Sequence, residues 1–190
     1  VRKKDDKKVD QLFKAALQLV VRKGLAGITM SDIAKAAGMA TGTLYIYFRN
    51  KEELIHALFL DCQKLSHEYY YRDLDPNEAF EKRFEVIFRN IMDFKIHHYE
   101  ISVFKEQCFH SPYGQVNFRK SEKGMHTIFD FLEEGVSKGY LKPLGEDILL
   151  SFFFGCINEL GKRSYHYNKK LTAEQVEAAC NMCWDGMKLR

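Results

Sequence analysis

Apolar residues recur at three- and four-residue steps along most of this chain, and no stretch shows the strict alternation expected of a half-buried strand. Only three prolines occur, Pro76, Pro112 and Pro143, each at a place that reads as an element boundary. These features predict an all-α fold of about nine helices. The composition supports a real core: 46% of the residues are hydrophobic and 15 are Phe, while 29% are charged and keep the surface hydrated. At 190 residues the chain has room for one domain with one appended unit.

Local signals place the helices. Val9, Leu12, Phe13, Ala16, Leu17 and Val20 form one apolar stripe, predicting a first helix from about Asp5 to Lys23 that stops at Gly24. Thr29 and Asp32 have capping-box spacing and open a second helix, whose buried face is Ile33, Ala34 and Ala37 and whose end is Gly38. A short, polar third helix follows at about Thr41 to Tyr47. Asn50 can cap a fourth from Lys51 to about Tyr71, with Leu54, Leu58, Cys62 and Leu65 on one side. Further periodic segments run at about 77–98, 99–109, 115–138, 145–168 and 172–188.

Two helices that cross at a short turn need a small residue at the crossing, a glycine in the turn and apolar residues to lock the angle. Ala34, Gly38 and Leu44, flanked by Ile33 and Met39, meet each need, so residues from about Met30 to Phe48 read as a helix-turn-helix. The charge layout agrees. Residues 1 to 51 hold 11 Lys/Arg against 4 Asp/Glu, so the chain's net charge of +3 divides into a basic N-terminal part and a mildly acidic remainder. That is the layout of a protein offering one end to a polyanion, although a solvated basic face would look the same.

The run from Ile28 to Leu54 resembles the signature of the TetR family of transcription regulators. Ile33-Ala34 and Ala37-Gly38 match its turn, Gly42 to Phe48 its recognition helix, and Lys51 to Leu54 the opening of its fourth helix. The resemblance implies DNA contacts at Thr29, Thr41, Gly42, Thr43, Tyr45, Tyr47 and Lys51. The chemistry fits: hydroxyls and an ammonium can hold phosphates, and Thr41 and Thr43 can reach base edges or thymine methyls. Thr29 could equally be only a cap, and Tyr45 could be half core. Ala40 stands where the family often has Ser, which removes a cap and phosphate ligand, so that either Thr41 serves instead or the specificity differs.

The resemblance also implies two domains, a DNA-binding domain at 1–50 and a ligand-binding and dimerisation domain at 51–190. The partners it implies are a near-palindromic operator, a small, largely apolar inducer, and a second copy joined through the last two helices. Leu149, Leu150, Phe153, Cys156, Ile157 and Leu160 exceed what one face would bury, which suits either a dimer surface or an intrachain core. Phe-rich middle helices suit an apolar pocket with few polar groups, with Phe88, Met92, Phe104, His126, Phe129 and Asn158 as candidate ligand contacts. Aromatic stripes at helical spacing are also plain core.

Other functions find less support in the residues. Glu53-Leu-Ile-His56 matches one half of a di-iron carboxylate site, but a second such motif and two further inward Glu are missing. Cys180 and Cys183 have redox or zinc spacing without a second ligand pair, and five scattered cysteines read as reduced thiols. No catalytic residue, metal or cofactor is expected. A constitutive DNA-binding protein without ligand is the remaining alternative. Without a secretory leader or a membrane span in the sequence, the expected location is the cytoplasm.

Overall fold

The computed structural model describes residues 2–115 and 127–190. Among these residues lie nine α-helices: α1 (Arg2–Gly27), α2 (Met30–Ala36), α3 (Thr41–Tyr47), α4 (Lys51–Tyr70), α5 (Phe80–His97), α6 (Tyr99–Phe109), α7 (Ile128–Ser137), α8 (Glu146–His166) and α9 (Ala173–Met187). A single 3-10 turn at Pro112–Gln115 and an isolated bridge between Leu141 and Lys188 complete the regular structure described.

The capping signals act as the sequence implies. Thr29 is the N-cap of α2, and its hydroxyl and the Asp32 carboxylate close a reciprocal capping box. Asn50 Oδ1 accepts the Glu53 N–H at 2.8 Å, and the Glu53 carboxylate accepts the Arg49 N–H at 2.7 Å, so α4 starts on a similar exchange. Gly24 takes a φ of 74°, which breaks the α1 helix geometry where a stop was expected, yet the helix resumes for three residues to Gly27. Of the expected 115–138 helix, residues 116–126 lie outside the described residues, and a Thr127–Asp130 capping box opens α7 at Ile128. Helix α3 lacks a side-chain cap at Ala40, so Thr41 does not replace the missing serine in that role.

Spatial contacts divide the chain into two compact units, and the division differs from a cut at residue 50. The first unit takes the chain as far as Lys64 and adds the segment from Glu100, so it includes the first part of α4 and all of α6 but its first residue. Its core is built from Leu12, Ala16, Val20, Ile33, Ala34, Leu44, Leu54, Leu58 and Phe104, all fully buried. A long-range bond explains why α6 belongs here: Gln107 Oε1 accepts the Leu25 N–H at 2.6 Å, just after the Gly24 break. The buried Phe59 meets Phe109 edge-on at 6.0 Å.

The second unit contains Leu65–Tyr99 and the described residues from Thr127 onward. Helix α5 is its central strut, presenting Phe80, Phe84, Ile87, Phe88, Ile91 and Met92 to α7, α8 and α9. Phe153 meets Phe84 and Phe88 edge-on at 5.4 and 5.8 Å, the geometry that aromatic quadrupoles favour. Asn90, almost fully buried, donates to the carbonyls of Tyr70 and Arg72 at 3.1 and 2.8 Å and so closes the end of α4. Lys142 N–H donates to Met187 O and Leu189 N–H to Tyr140 O, each at 2.9 Å, which ties the end of α9 to the α7–α8 connection.

Candidate nucleic-acid interface

Helix α3 is too short to persist alone, because seven residues close too few hydrogen bonds to offset the ordering of the backbone. Leu44 is fully buried and Phe48, which stacks on Phe13 at 5.9 Å, is nearly so; these two anchors hold α3 against α1 and α2. The Ala37 and Met39 N–H groups donate to the carbonyls of Ile33 and Ala34 at 2.9 Å, and Gly38 makes the turn at a φ of 67°, which costs a glycine little. The outer side of α3 is thereby held rigidly toward solvent.

The seven residues given to DNA by resemblance fall into two places. Gly42 and Tyr45 are exposed on α3, with Thr41, Thr43 and Tyr47 half-buried beside them. Tyr45 keeps 51% of its surface, so it is not a core residue. Thr29 and Lys51 lie at helix starts and already have internal partners. The Thr29 hydroxyl accepts from the Asp32 N–H at 3.1 Å and donates to the Asp32 carboxylate at 2.8 Å. That hydroxyl, more than the Lys23 ammonium 3.0 Å from the other carboxylate oxygen, holds the Asp32 pKa below its usual value. The Lys51 ammonium donates to Leu25 O at 2.8 Å and to Ala26 O at 3.5 Å, and burial lowers its pKa. Two of its three N–H bonds therefore latch the end of α1 to the start of α4.

One residue escaped the sequence reading. Ile46 exposes 79% of its surface at the outer side of α3, more than any other large apolar residue of the described chain. Helical phase alone could have found it, since it lies nearly opposite the buried Leu44.

Two family descriptions match the chain. Residues 12–58 match "Bacterial regulatory proteins, tetR family", and residues 79–188 match "Tetracyclin repressor-like, C-terminal domain". The chain belongs to the TetR family of transcription regulators. An HTH-type transcriptional regulator of Haemophilus influenzae is 27% identical to this TetR-family chain over 177 residues, with 92% of each covered. The transcriptional repressor KstR2 of Mycobacterium tuberculosis is 26% identical over 178 residues, covering 87% of this chain and 85% of its own. The solved structure of a TetR family regulator from Marinobacter aquaeolei superimposes with a TM-score of 0.88 at 25% identity, covering 100% of both chains. This TetR-family protein is thus a DNA-binding transcription regulator and not an enzyme. Regulators of this family bind operator DNA and small-molecule ligands, and dimerisation is typical of them.

The candidate ligand residues are scattered. Phe88 and Met92 are fully buried in the core of the second unit, Phe104 is a core residue of the first, and Phe129 and Asn158 are half-buried. His126 lies outside the described residues. An open cleft of about 260 Å³ on the second unit is lined by Met92, Asp93, Ile96, His97 and residues 170–173 and 176, so Met92 alone of the six reaches it. Sequence did not single out two other polar groups: His67 Nε2 near the end of α4 and Tyr71 OH just past it, their rings tilted at 35° with centroids 4.8 Å apart, are buried without a hydrogen-bond partner among the described residues.

The last two helices also differ in detail from the expectation. Leu149, Phe153 and Ile157 are buried in the chain's own core, so the intrachain alternative holds for them. The neighbouring positions Ile148 and Phe152 are exposed instead, as are Met182 on α9 and Leu189 beyond its end. Cys180 and Cys183 are buried in the same core, and burial pushes each thiol up to about 12, which leaves no reactive pair. Glu53 holds the Arg49 N–H, a capping role, and among the described residues no group of three His, Cys, Asp or Glu could hold a metal. Among the same residues no helix is long and apolar enough to cross a membrane.

Proposed function

We propose that two copies of this chain place their α3 helices in successive major grooves of a near-palindromic operator and repress transcription until a small ligand releases them. The observation that carries this reading is α3 itself, locked from beneath by Leu44 and Phe48 and presenting Gly42, Tyr45 and Ile46 outward, on the more basic end of the chain. Thr41, Thr43 and Tyr45 meet base edges, Gly42 permits close approach, Tyr47 meets the backbone, and the third N–H of Lys51 reaches a phosphate. Thr29 serves the interface as the cap that fixes α2.

One short recognition helix reads too few bases to be specific, so a two-fold dimer is needed. The exposed apolar residues Ile148 and Phe152 of α8 and Met182 of α9 supply the surface for it. Repressor action is supported by similarity to KstR2, which is described as a repressor and as a ketosteroid regulator. The Phe-rich second unit suits a ligand with an apolar body, and the orphaned His67 and Tyr71 atoms suit one polar group upon it. Such a regulator works in the cytoplasm.

Selection of bound sequences from a random duplex pool, followed by titration of the best site at two salt concentrations, tests the reading. An enriched inverted repeat with steep salt dependence supports a dimeric operator binder. Weak binding without enrichment refutes it.

A further inference from the structure

We infer that Ile46 is a specificity-determining residue of the DNA reader, and that it recognises the 5-methyl group of a thymine in each half-site. The inference rests on the DNA-binding reading above and names what its most exposed large apolar side chain reads.

In an α-helix each residue turns the side-chain direction by about 100°, so Gly42 and Ile46 lie about 160° and 200° from Leu44. Leu44 is the buried anchor of α3, with no exposed surface. The ridge formed by Gly42 and Ile46, one turn apart, is therefore the outermost line of the helix. The two threonines lie to its sides and are half-buried. Any groove that admits α3 meets this ridge first.

The ridge has one side chain. A Cβ built on Gly42 meets nothing within 4 Å, so the backbone there is open to a surface approaching from outside. Ile46 then projects from the same line with 79% of its surface exposed. A β-branched apolar side chain neither favours a helix strongly nor donates or accepts a hydrogen bond. Polar base edges and phosphates offer it nothing. The one apolar feature of the major groove floor is the thymine methyl, and contact with an aliphatic side chain is the form of readout available to it.

The test uses the full-length protein and the operator it selects from a random pool. Each thymine is replaced in turn by deoxyuridine, which removes the 5-methyl group and leaves the base pairing intact. For the wild-type protein the replacement is expected to weaken binding about fourfold at one thymine per half-site and about fifteenfold when both half-sites carry it, the effect of losing one buried methyl-sized contact at each. For Ile46→Ala the same replacements should matter less than about twofold, while Ile46→Val should recover most of the sensitivity. Thermal melting of Ile46→Ala should match the wild type, because the side chain is exposed. Equal deoxyuridine sensitivity in the wild type and Ile46→Ala overturns the inference, as does a selected site where no thymine responds. If the wild type enriches no sequence at all, the DNA-reading function fails and takes this inference with it.

Discussion

Replacing Gly42 by alanine separates reading from folding, because the two effects have opposite signs. On the free protein the added methyl enters open space and removes a glycine from the first turn of α3. A glycine in a helix interior costs about 1 kcal/mol relative to alanine, and roughly half of that applies near a helix end. In a chain of this size about 0.5 kcal/mol raises Tm by about 1–2 °C. On DNA the same methyl stands on the outermost line of the helix, where the groove must close on the backbone. Forcing a methyl into a fitted contact costs about 1–3 kcal/mol, and a symmetric dimer meets that cost twice. The combined loss of about 2–6 kcal/mol corresponds to at least about thirtyfold in operator affinity. Thermal melting and fluorescence-anisotropy titration on the selected duplex read the two effects side by side. A higher Tm with operator affinity unchanged within about twofold would refute the placement of the Gly42–Ile46 ridge at DNA.

Three further outcomes are expected. Arg83 holds Glu134 through two bonds of 3.2 and 2.6 Å, and this pairing, more than Lys138, lowers the Glu134 carboxyl to about 2. A depressed folded-state pKa means the contribution is complete above about pH 4.5 and lost as pH falls toward 2; after screening at the partly exposed rim it amounts to about 1 kcal/mol. The wild type's advantage over Glu134→Gln in thermal melts should therefore shrink from pH 5.5 to pH 3 at constant ionic strength, and a constant difference would contradict the pairing. Met182→Glu places a charge on a residue that is 74% exposed, so sedimentation should show a monomer with an intact fold, whereas a persistent dimer would exclude the outer stripe of α9 from the interface. Lys51→Ala removes both the latch to Leu25 O and the proposed phosphate contact, so stability should fall by about 1 kcal/mol and the salt slope of DNA binding by about 1. A loss of stability with an unchanged slope would leave Lys51 as a latch alone.

What the sequence made legible was local. The Thr29–Asp32 box, the Asn50 cap and the Gly38 turn are set by residues within a few positions of each other, and each is found where its spacing implies. The Thr127–Asp130 box has the same spacing as the first, but it lay inside a longer periodic run that masked the helix start. Which apolar positions of α8 the chain buries in its own core was not legible, since Leu149 and Phe153 face inward and their neighbours Ile148 and Phe152 do not. Hydrophobicity ranks these residues alike; only the packing of α8 against α5 decides the phase. The membership of α6 in the first unit depends on a bond between Gln107 and Leu25, positions 82 apart, and no local pattern encodes such a contact. Ile46 carries no outward signal of its own, being apolar; its phase follows only once Leu44 is taken as the buried anchor of the seven-residue helix.

The shortness of α3 explains how reading can change without loss of the fold. A helix without a side-chain cap at Ala40 contributes little to its own stability, so its order comes from Leu44 and Phe48 beneath it and from the bonds that fix α2. Removing Leu44 opens a cavity at the crossing and is expected to cost about 2–5 kcal/mol, which lowers folding and DNA binding together. The outer ridge has no such duty. Gly42 and Ile46 are exposed, so substitutions there are expected to redirect the reader while the scaffold stays in place. The division between a buried anchor and an unburdened ridge lies within seven residues, and it follows from the single geometric fact that positions 42 and 46 stand opposite position 44.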